Sequence, residues 1–277
     1  MSSTTDPSAT AHHPTKREAK DAARRRLAEE RARQKQAEQR RRKVRIGVSI
    51  GAAVAVVAAI AVAIGTADGG GDAAVAGPLT VPAHTTGQDG TVIVYGKADA
   101  PHTLDVWEDF RCPICKELET SAGAAIQQFA DDGTYKIQYH LATFLDDRLG
   151  GSGSRTALEA AGAALDEGPE KFKAFHDYLY AHQPDEKTDG FGSRDKLLDL
   201  AKNVPGLVTP AFTDAVNKRT YAPWAAKVSA QFASSGVSGT PTLELDGKQL
   251  NVFGDTGAPV TADQYKALIQ QAVGGAK

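Results

Sequence analysis

The sequence contains very little cysteine: Cys112 and Cys115 are the only two among its 277 residues. No second C-x-x-C and no H-x-x-x-H accompanies them, which excludes a zinc site with the usual ligand spacing. A bridge between such close neighbours closes a very short loop, and short loops gain the least stability from cross-linking. The pair is therefore interpreted as chemically reactive, with metal binding or an inert bridge as the alternatives.

Charge is missing from one stretch of the chain. Residues 46–65, IGVSIGAAVAVVAAIAVAIG, contain no charged side chain, and the basic cluster RRRKVR precedes them at 40–45. A helix of this length spans about 30 Å, the hydrocarbon thickness of a bilayer. By the positive-inside rule, the N-terminus stays in the cytoplasm and the chain after residue 65 is exported. The sequence therefore predicts a single transmembrane helix over 46–65.

A cleaved signal peptide is the alternative interpretation of the same segment. The Ala-Val-Ala triplets at 61–63 and 74–76 are candidate cleavage sites. A 45-residue leader and a 20-residue apolar run are both long for a signal peptide, so we favour an uncleaved anchor. Either interpretation places the rest of the chain outside the cytoplasm, where paired thiols meet an oxidising environment.

The net charge of −2 conceals two regions of opposite sign. Residues 1–45 carry 14 Lys and Arg against 6 Asp and Glu, a net of +8, whereas the remainder carries 18 against 28, a net of −10. We interpret 1–45 as a cytoplasmic basic tail that lies against membrane lipid, and a nucleic-acid-binding arm is the alternative. Residues 66–90 are predicted to be a flexible linker, and 91–277 a single exported domain.

The predicted elements of this domain place strands first, helices next and strands again near the end. A hairpin with a two-residue loop of the preferred type is expected at Asp246-Gly247, and Pro169, Pro210 and Pro223 are expected in the first turns of helices. Strands are predicted at 91–96, 103–110, 135–144, 242–245 and 248–252, a helix from 115 to 133, a block of helices between 155 and 236, and a helix at 261–273. The pattern indicates an α/β fold.

This order, with CPIC at 112–115 after a strand and GTPT at 239–242 before a hairpin, resembles the thioredoxin superfamily. The helical block resembles the insertion of its DsbA-like branch, and GKADAPHTLDVWEDFRCPICKELE at 96–119 is similar to exported bacterial members. The resemblance covers Thr91 to Val273. It implies a thioredoxin-like fold with a helical insertion, and thiol–disulfide exchange that needs no cofactor.

The resemblance also implies a role for each site residue. Cys112 begins the helix after the strand, where free N–H groups and the helix dipole stabilise its thiolate, and it is expected to be the exposed nucleophile. Cys115, one turn later, is expected to be buried and to resolve the mixed disulfide. Pro241 is expected to follow a cis bond and to act through the backbone. Substrate contacts are expected at Thr240, Pro113 and Ile114.

Two positions depart from the family patterns. Thioredoxins usually bury an acidic residue six positions before the first cysteine, where this chain has Val106. Proton transfer at Cys115 would then need Glu108, Asp109 or water, unless both carboxylates are solvated at the strand end. Ile114 stands where DsbA itself has histidine, which implies a weaker oxidant. His140 and His176 could join a metal site only through folding, and no metal is predicted.

The sequence therefore predicts a membrane-tethered, extracytoplasmic thiol–disulfide oxidoreductase that acts on exported, cysteine-containing proteins, as an oxidant rather than as a reductase or isomerase. From the resemblance alone, a membrane quinone-linked oxidase of the DsbB or VKOR type would recharge it. No nucleic-acid partner is predicted. The alternatives are a reductase or isomerase, and a non-catalytic DsbA-like binding or sensing module in which the two cysteines form a passive bridge.

Overall fold

The computed structural model describes residues 77–254 and 257–274, which form a mixed sheet surrounded by helices. The strands are β1 (Thr85–Thr86), β2 (Val92–Tyr95), β3 (His102–Asp109), β4 (Tyr135–Ala142), β5 (Thr242–Leu245) and β6 (Lys248–Gln249). Their order in the sheet is β1-β2-β4-β3-β5-β6. The two central strands, β3 and β4, run parallel, and every other pair is antiparallel.

Strand β4 shows why these residues form a sheet. Its side chains alternate, and Tyr135, Ile137, Tyr139 and Leu141 are all buried while the residues between them are partly exposed. Strand β3 differs, because its last four residues are all buried. Its C-terminal end is therefore enclosed on both faces, and this end leads directly to the two cysteines.

Eight α-helices accompany the sheet in the described residues. They are α1 (Pro113–Asp132), α2 (Phe144–Leu149), α3 (Gly153–Asp166), α4 (Pro169–Ala181), α5 (Arg194–Ala201), α6 (Pro210–Lys218), α7 (Ala222–Ser235) and α8 (Ala262–Gly274). Helix α1 packs against α8 and α4, whereas α3 packs against α4, α6 and α7. Helices α2 to α7 form the insertion between β4 and β5. The predicted α/β fold with a helical insertion is confirmed.

Helix α3 is the centre of the insertion, and almost all of its residues are buried. Its small side chains allow close packing. A Cβ atom added at Gly162 would lie 2.9 Å from the ring of Trp224 on α7, so this position needs glycine. The Ala-rich sequence of α3 is thus explained by neighbours on all sides rather than by one apolar face.

The sheet begins before the predicted domain boundary. Strand β1 pairs with β2, although its residues belong to the segment predicted as a flexible linker. At the other end, the hairpin pattern predicts a strand that extends to residue 252. Strand β6 is shorter, with only two residues. Leu250 and Val252 are nevertheless buried, and the N–H of Leu250 still donates to the carbonyl of Leu243 in β5 at 2.8 Å.

The apolar spacing in α1 predicts Ala124, Ile126, Phe129 and Ala130 on its buried face. Ile126 and Ala130 are buried, but Ala124 is exposed, so the prediction for Ala124 is wrong. The helix instead turns Ala122 and Ala125 toward the core. Ala124 faces a groove between α1 and α4.

The predicted tail and transmembrane helix, 1–45 and 46–65, lie outside the described residues. Within 77–254 and 257–274, no helix has both the length and the hydropathy that crossing a membrane requires.

Candidate active site

The first cysteine lies at the N-terminus of α1. Cys112 is the N-cap, with extended backbone angles, and its sulfur accepts a hydrogen bond from the backbone N–H of Cys115 at 3.4 Å. Pro113 occupies the first turn, where its missing N–H leaves no donor unsatisfied. The chain turns sharply between β3 and α1, because the N–H of Cys112 donates to the carbonyl of Asp109 at 2.8 Å.

The two sulfurs differ in exposure less than predicted. Cys112 is 6% exposed and Cys115 is completely buried. The expectation of an exposed Cys112 is therefore corrected, since the loop that contains Thr240 lies against its sulfur. Ile114, between the two cysteines, is 39% exposed and marks the open surface beside them.

Their acidities differ strongly. The hydrogen bond from the Cys115 thiol is the main cause that lowers the pKa of Cys112 to about 7, and burial opposes it. Burial is also the main cause that raises the pKa of Cys115 well above its ordinary value, with further contributions from its hydrogen bond to Cys112 and the charge of Glu108. The thiolate of the reduced pair therefore resides on Cys112.

The second part of the site comes from a distant stretch of sequence. The Thr240–Pro241 peptide bond is cis, as predicted. The carbonyl oxygen of Thr240 lies 3.5 Å from the Cys112 sulfur. The pairing of β5 with β3, which sets Thr242 opposite Trp107, brings this loop to the cysteines. The structure thus unites the predicted site residues at one end of the sheet, while their catalytic and substrate-binding roles stay predictions.

A buried glutamine supports the cysteine loop from the insertion. Nε2 of Gln183, just after α4, donates to the carbonyl oxygens of Phe110 at 2.8 Å and of Cys112 at 2.9 Å. Both carbonyls belong to the turn between β3 and α1. No local pattern marks Gln183 in the sequence, and it was not predicted.

The residue before Cys112 makes a second connection to the insertion. The buried guanidinium of Arg111 donates from Nη1 to Asp146 at 2.8 Å and to the carbonyl of Gly150 at 2.8 Å. Its Nη2 donates to the carbonyl of Glu186 at 2.8 Å. Arg111 therefore joins the cysteine loop to two separate loops of the insertion, and this role was not predicted from the sequence.

Asp109 is completely buried, so a solvated carboxylate at this strand end is ruled out. It accepts hydrogen bonds from Ser154 Oγ at 2.6 Å and from the N–H groups of Arg111 and Leu145 at 2.9 and 3.2 Å. Burial raises its pKa to about 6 despite these bonds. Both carboxylate oxygens are engaged, and Asp109 thus fixes the local backbone.

Glu108 is also completely buried, and the solvated alternative is wrong for it too. Its Oε2 lies 2.9 Å from Nε2 of His176 on α4. Burial opposes protonation of His176, but its hydrogen bonds to Asp177 and Glu108 raise its pKa to about 9. Burial, and then the charge of Glu108, raises the pKa of Glu119 to about 8. No pattern in the sequence connects His176 with either glutamate, and only folding brings them together.

His140 belongs to a different environment. Its Nε2 lies 2.8 Å from Asp105, and its ring stacks on Trp107 at 4.4 Å between centroids. Folding therefore places the two histidines in separate groups, one paired with Asp105 and the other with Glu108.

Comparisons with known proteins agree with this geometry. A family model described as Thioredoxin matches residues 88–271. The chain is 30% identical over 183 residues to disulfide bond formation protein D of Bacillus subtilis, which covers 66% of this chain and 77% of the relative. Oxidised BdbD from Bacillus subtilis superimposes with a TM-score of 0.55 at 27% identity, over 71% of this chain and 100% of that one. The reduced disulfide bond oxidoreductase DsbG from Mycobacterium tuberculosis gives 0.54 at 26% identity, over 70% and 86%.

The matched region contains both halves of the sheet, the insertion and the cysteine pair. Family, relative and solved structures agree on the reaction class as well as on the fold. The chain belongs to the thioredoxin superfamily and is a DsbA-like thiol–disulfide oxidoreductase.

Proposed function

We propose that this oxidoreductase transfers disulfides to exported, cysteine-containing proteins outside the cytoplasm, through its CPIC motif. The observation that supports this most strongly is the asymmetry of the pair. Cys112 caps a helix and has a pKa lowered to about 7, whereas Cys115 is completely buried. One sulfur is suited to bond with substrate and the other to remain inside the protein.

In the proposed reaction, a substrate thiolate attacks the Cys112 sulfur of the oxidised pair. The bond between Cys112 and Cys115 breaks, and Cys115 leaves with the electron pair and takes up a proton. A second substrate thiolate then attacks the substrate sulfur of the mixed disulfide, and Cys112 leaves as a thiolate. The substrate loses two electrons and gains a disulfide, while the cysteine pair is reduced.

The oxidising direction is favoured because the reduced state is stabilised. A thiolate held by hydrogen bonds makes the reduced pair more stable, and the disulfide is then more readily given away. The side chain of Ile114 contributes no donor to this thiolate beyond its backbone N–H, so we place the protein below DsbA in oxidising strength. A reduction potential nearer ~−120 mV than ~−270 mV would support an oxidant, and the opposite result would indicate a reductase.

Substrate is proposed to bind across the cis-proline loop. The backbone of Thr240 lies beside the reactive sulfur and is suited to pair with an extended peptide, as in strand addition. Pro113 and the exposed Ile114 form the adjoining surface, and Pro241 acts through the backbone that it shapes.

The location is proposed from the sequence. Residues 1–45 would lie in the cytoplasm, 46–65 would anchor the chain in the membrane, and 91–277 would form the exported domain. A membrane quinone-linked oxidase of the DsbB or VKOR type would then return Cys112 and Cys115 to the disulfide. Protease added to cells with an opened envelope should digest the domain and spare the tail. Protection of the cysteine region would contradict export.

Trapping variants test the proposed roles. Cys115→Ala should accumulate covalent adducts with exported proteins that dithiothreitol releases. In this variant the Cys112 thiolate attacks a disulfide of an exported protein, the other sulfur of that disulfide leaves as a thiolate, and no Cys115 thiol is present to displace the adduct. Cys112→Ala should form few, since Cys115 is enclosed. Equal trapping by both variants would refute the assignment, and no trapping by either would favour the passive bridge of a binding module.

A further inference from the structure

A cluster of ionisable side chains lies in the interior where β3, α1 and α4 meet. Glu108 extends from β3, Glu119 from α1, and Lys173, His176 and Asp177 from α4. The side chains of Glu108, His176 and Lys173 are at most 1% exposed. Such groups are rarely buried unless they are paired or bind a metal, so each needs a partner.

Three of these groups converge on one point. Oε2 of Glu108 lies 2.9 Å from Nε2 of His176. One ligand atom from each of Glu108, Glu119 and His176 lies within 4.8 Å of the other two. Neighbouring ligands of a tetrahedral Zn²⁺ ion, with bonds of ~2.0–2.1 Å, lie about 3.3 Å apart. Small side-chain movements would therefore bring all three atoms to bonding distance of one cation.

Two carboxylate oxygens in the cluster are unsatisfied. Oε1 of Glu108 and Oε1 of Glu119 are both sealed from solvent and have no hydrogen-bond partner among the described residues. Glu108 is completely buried, and burial of an unpaired carboxylate oxygen costs several kcal/mol in an apolar interior. These oxygens belong to the same two side chains that converge on His176, and a bound cation would satisfy them.

The surroundings orient the histidine as a ligand. Nδ1 of His176 lies 3.1 Å from Oδ1 of Asp177, and Lys173 pairs with the same carboxylate. A carboxylate on one ring nitrogen directs the other nitrogen toward a metal. The charges also balance, because a divalent cation neutralises Glu108 and Glu119, while Lys173 and Asp177 neutralise each other.

A groove between α1 and α4 leads to this cluster from the surface. Glu119 and Asp177 line it, together with Gly123 and Tyr180. A Cβ atom at residue 123 would lie 2.6 Å from Oε2 of Glu119, so glycine leaves room for the carboxylate. A cation therefore has a route to the site that does not pass the two cysteines.

From these observations we infer that Glu108, Glu119 and His176 form a binding site for a divalent cation of the Zn²⁺ type. One imidazole and two carboxylates are ligands that Zn²⁺ accepts. The ion would join the central sheet, the helix that contains both cysteines, and the insertion. No ligand spacing in the sequence predicts it, since the three residues come from three separate elements.

The test uses the full-length chain with Cys112→Ser and Cys115→Ser, which removes every thiol. Calorimetric titration with ZnCl₂ should show one Zn²⁺ ion per chain. Thermal unfolding should shift upward by about 5 °C at a hundredfold excess of free Zn²⁺ over Kd. Adding Glu119→Gln, which keeps the size of the side chain, should weaken binding by at least about tenfold and reduce the thermal shift at the same Zn²⁺ concentration to about half or less.

Two controls make the result decisive. His12→Asn with His13→Asn, in the N-terminal tail, should leave Zn²⁺ binding unchanged, and circular dichroism should show that Glu119→Gln is folded. Absence of binding to the thiol-free chain would overturn the inference. Unchanged affinity in Glu119→Gln, or loss of binding in the tail variant, would do so as well. None of these outcomes depends on the exchange reaction proposed for the cysteines.

Discussion

The two cysteines occupy one helical turn, yet their surroundings move their pKa values in opposite directions. The sulfur of Cys112 accepts hydrogen bonds, and its pKa falls to about 7. Cys115 is completely buried, and its burial, together with the charge of Glu108, raises its pKa. The comparison shows that burial alone does not set thiol reactivity. Burial is the main cause of the raised pKa at Cys115, whereas at Cys112 the hydrogen-bond donors outweigh burial.

The two sulfurs also differ in what holds them. Cys115 lies within α1, whose own hydrogen bonds fix its backbone. Cys112 lies in the turn before α1, and Gln183 and Arg111 connect that turn to the helical insertion. The insertion therefore supports the side of the site where the proposed nucleophile lies, and most of the following predictions act on this side.

The largest expected effect comes from Arg111→Leu. The change leaves Asp146 buried without its cation, and loss of one partner of a buried ion pair costs about 3–5 kcal/mol. The free energy of unfolding should fall by this amount in urea denaturation. Lys218→Ala is the control, because its pair with Asp214 is on the surface and should contribute less than about 1 kcal/mol. If Arg111→Leu lowers the free energy of unfolding by no more than Lys218→Ala does, the Arg111 connection does not stabilise the protein.

The next effect is expected for Gln183→Leu. The buried carbonyls of Phe110 and Cys112 each lose a hydrogen bond of about 1 kcal/mol, so unfolding should require about 2 kcal/mol less. Gln231→Leu, at an exposed position of α7, should change stability by less than about 0.5 kcal/mol. If Gln183→Leu is as stable as the parent, the insertion does not support the cysteine turn through this residue.

Many of the strands, helices and turns that position these residues could be predicted from the sequence. The alternation in β4, the proline in the first turn of α4 and the Asp246-Gly247 turn are local patterns, and the structure confirms them. The cis bond at Pro241 came from the family resemblance, which adds information that no local pattern contains.

The supporting side chains could not be predicted for a physical reason. Gln183 lies 71 residues from Cys112, and Glu108 lies 68 from His176. Such contacts depend on how the insertion packs on the sheet, which periodicity does not specify. The same packing buries Glu108 and Asp109, whose position at a strand end was equally compatible with solvent.

The thiol contrast itself is tested by alkylation of the reduced protein, with labelled sites located by mass spectrometry. The pKa of Cys112 is about 7, so below this pH the residue is mainly a thiol and its alkylation rate should fall as the pH decreases. From pH 7 to 8.5 the rate should rise only about twofold, whereas a free cysteine of pKa ~8.5 gains about 15-fold. Cys115 should stay unlabelled because it is buried.

The Cys115→Ala variant sharpens this measurement. It removes the thiol that donates to the Cys112 sulfur, so the midpoint of the alkylation profile should move upward. An unchanged midpoint would mean that Cys115 does not cause the low pKa of Cys112.

The smallest expected effect comes from Ile114→His, which should act on one sulfur only. Ile114 is 39% exposed beside Cys112, so an imidazole there would be partly solvated and its effect on the thiolate screened. We expect the pKa of Cys112 to fall by about 0.5, or about 0.7 kcal/mol, which corresponds to a reduction potential higher by about 15 mV. Equilibration with glutathione measures the change, and Ile114→Leu is the matched control. Because Cys115 is buried beneath the turn, its pKa should stay raised in both variants. A potential that is unchanged or lower would show that the dipeptide between the cysteines does not set oxidising strength in this protein.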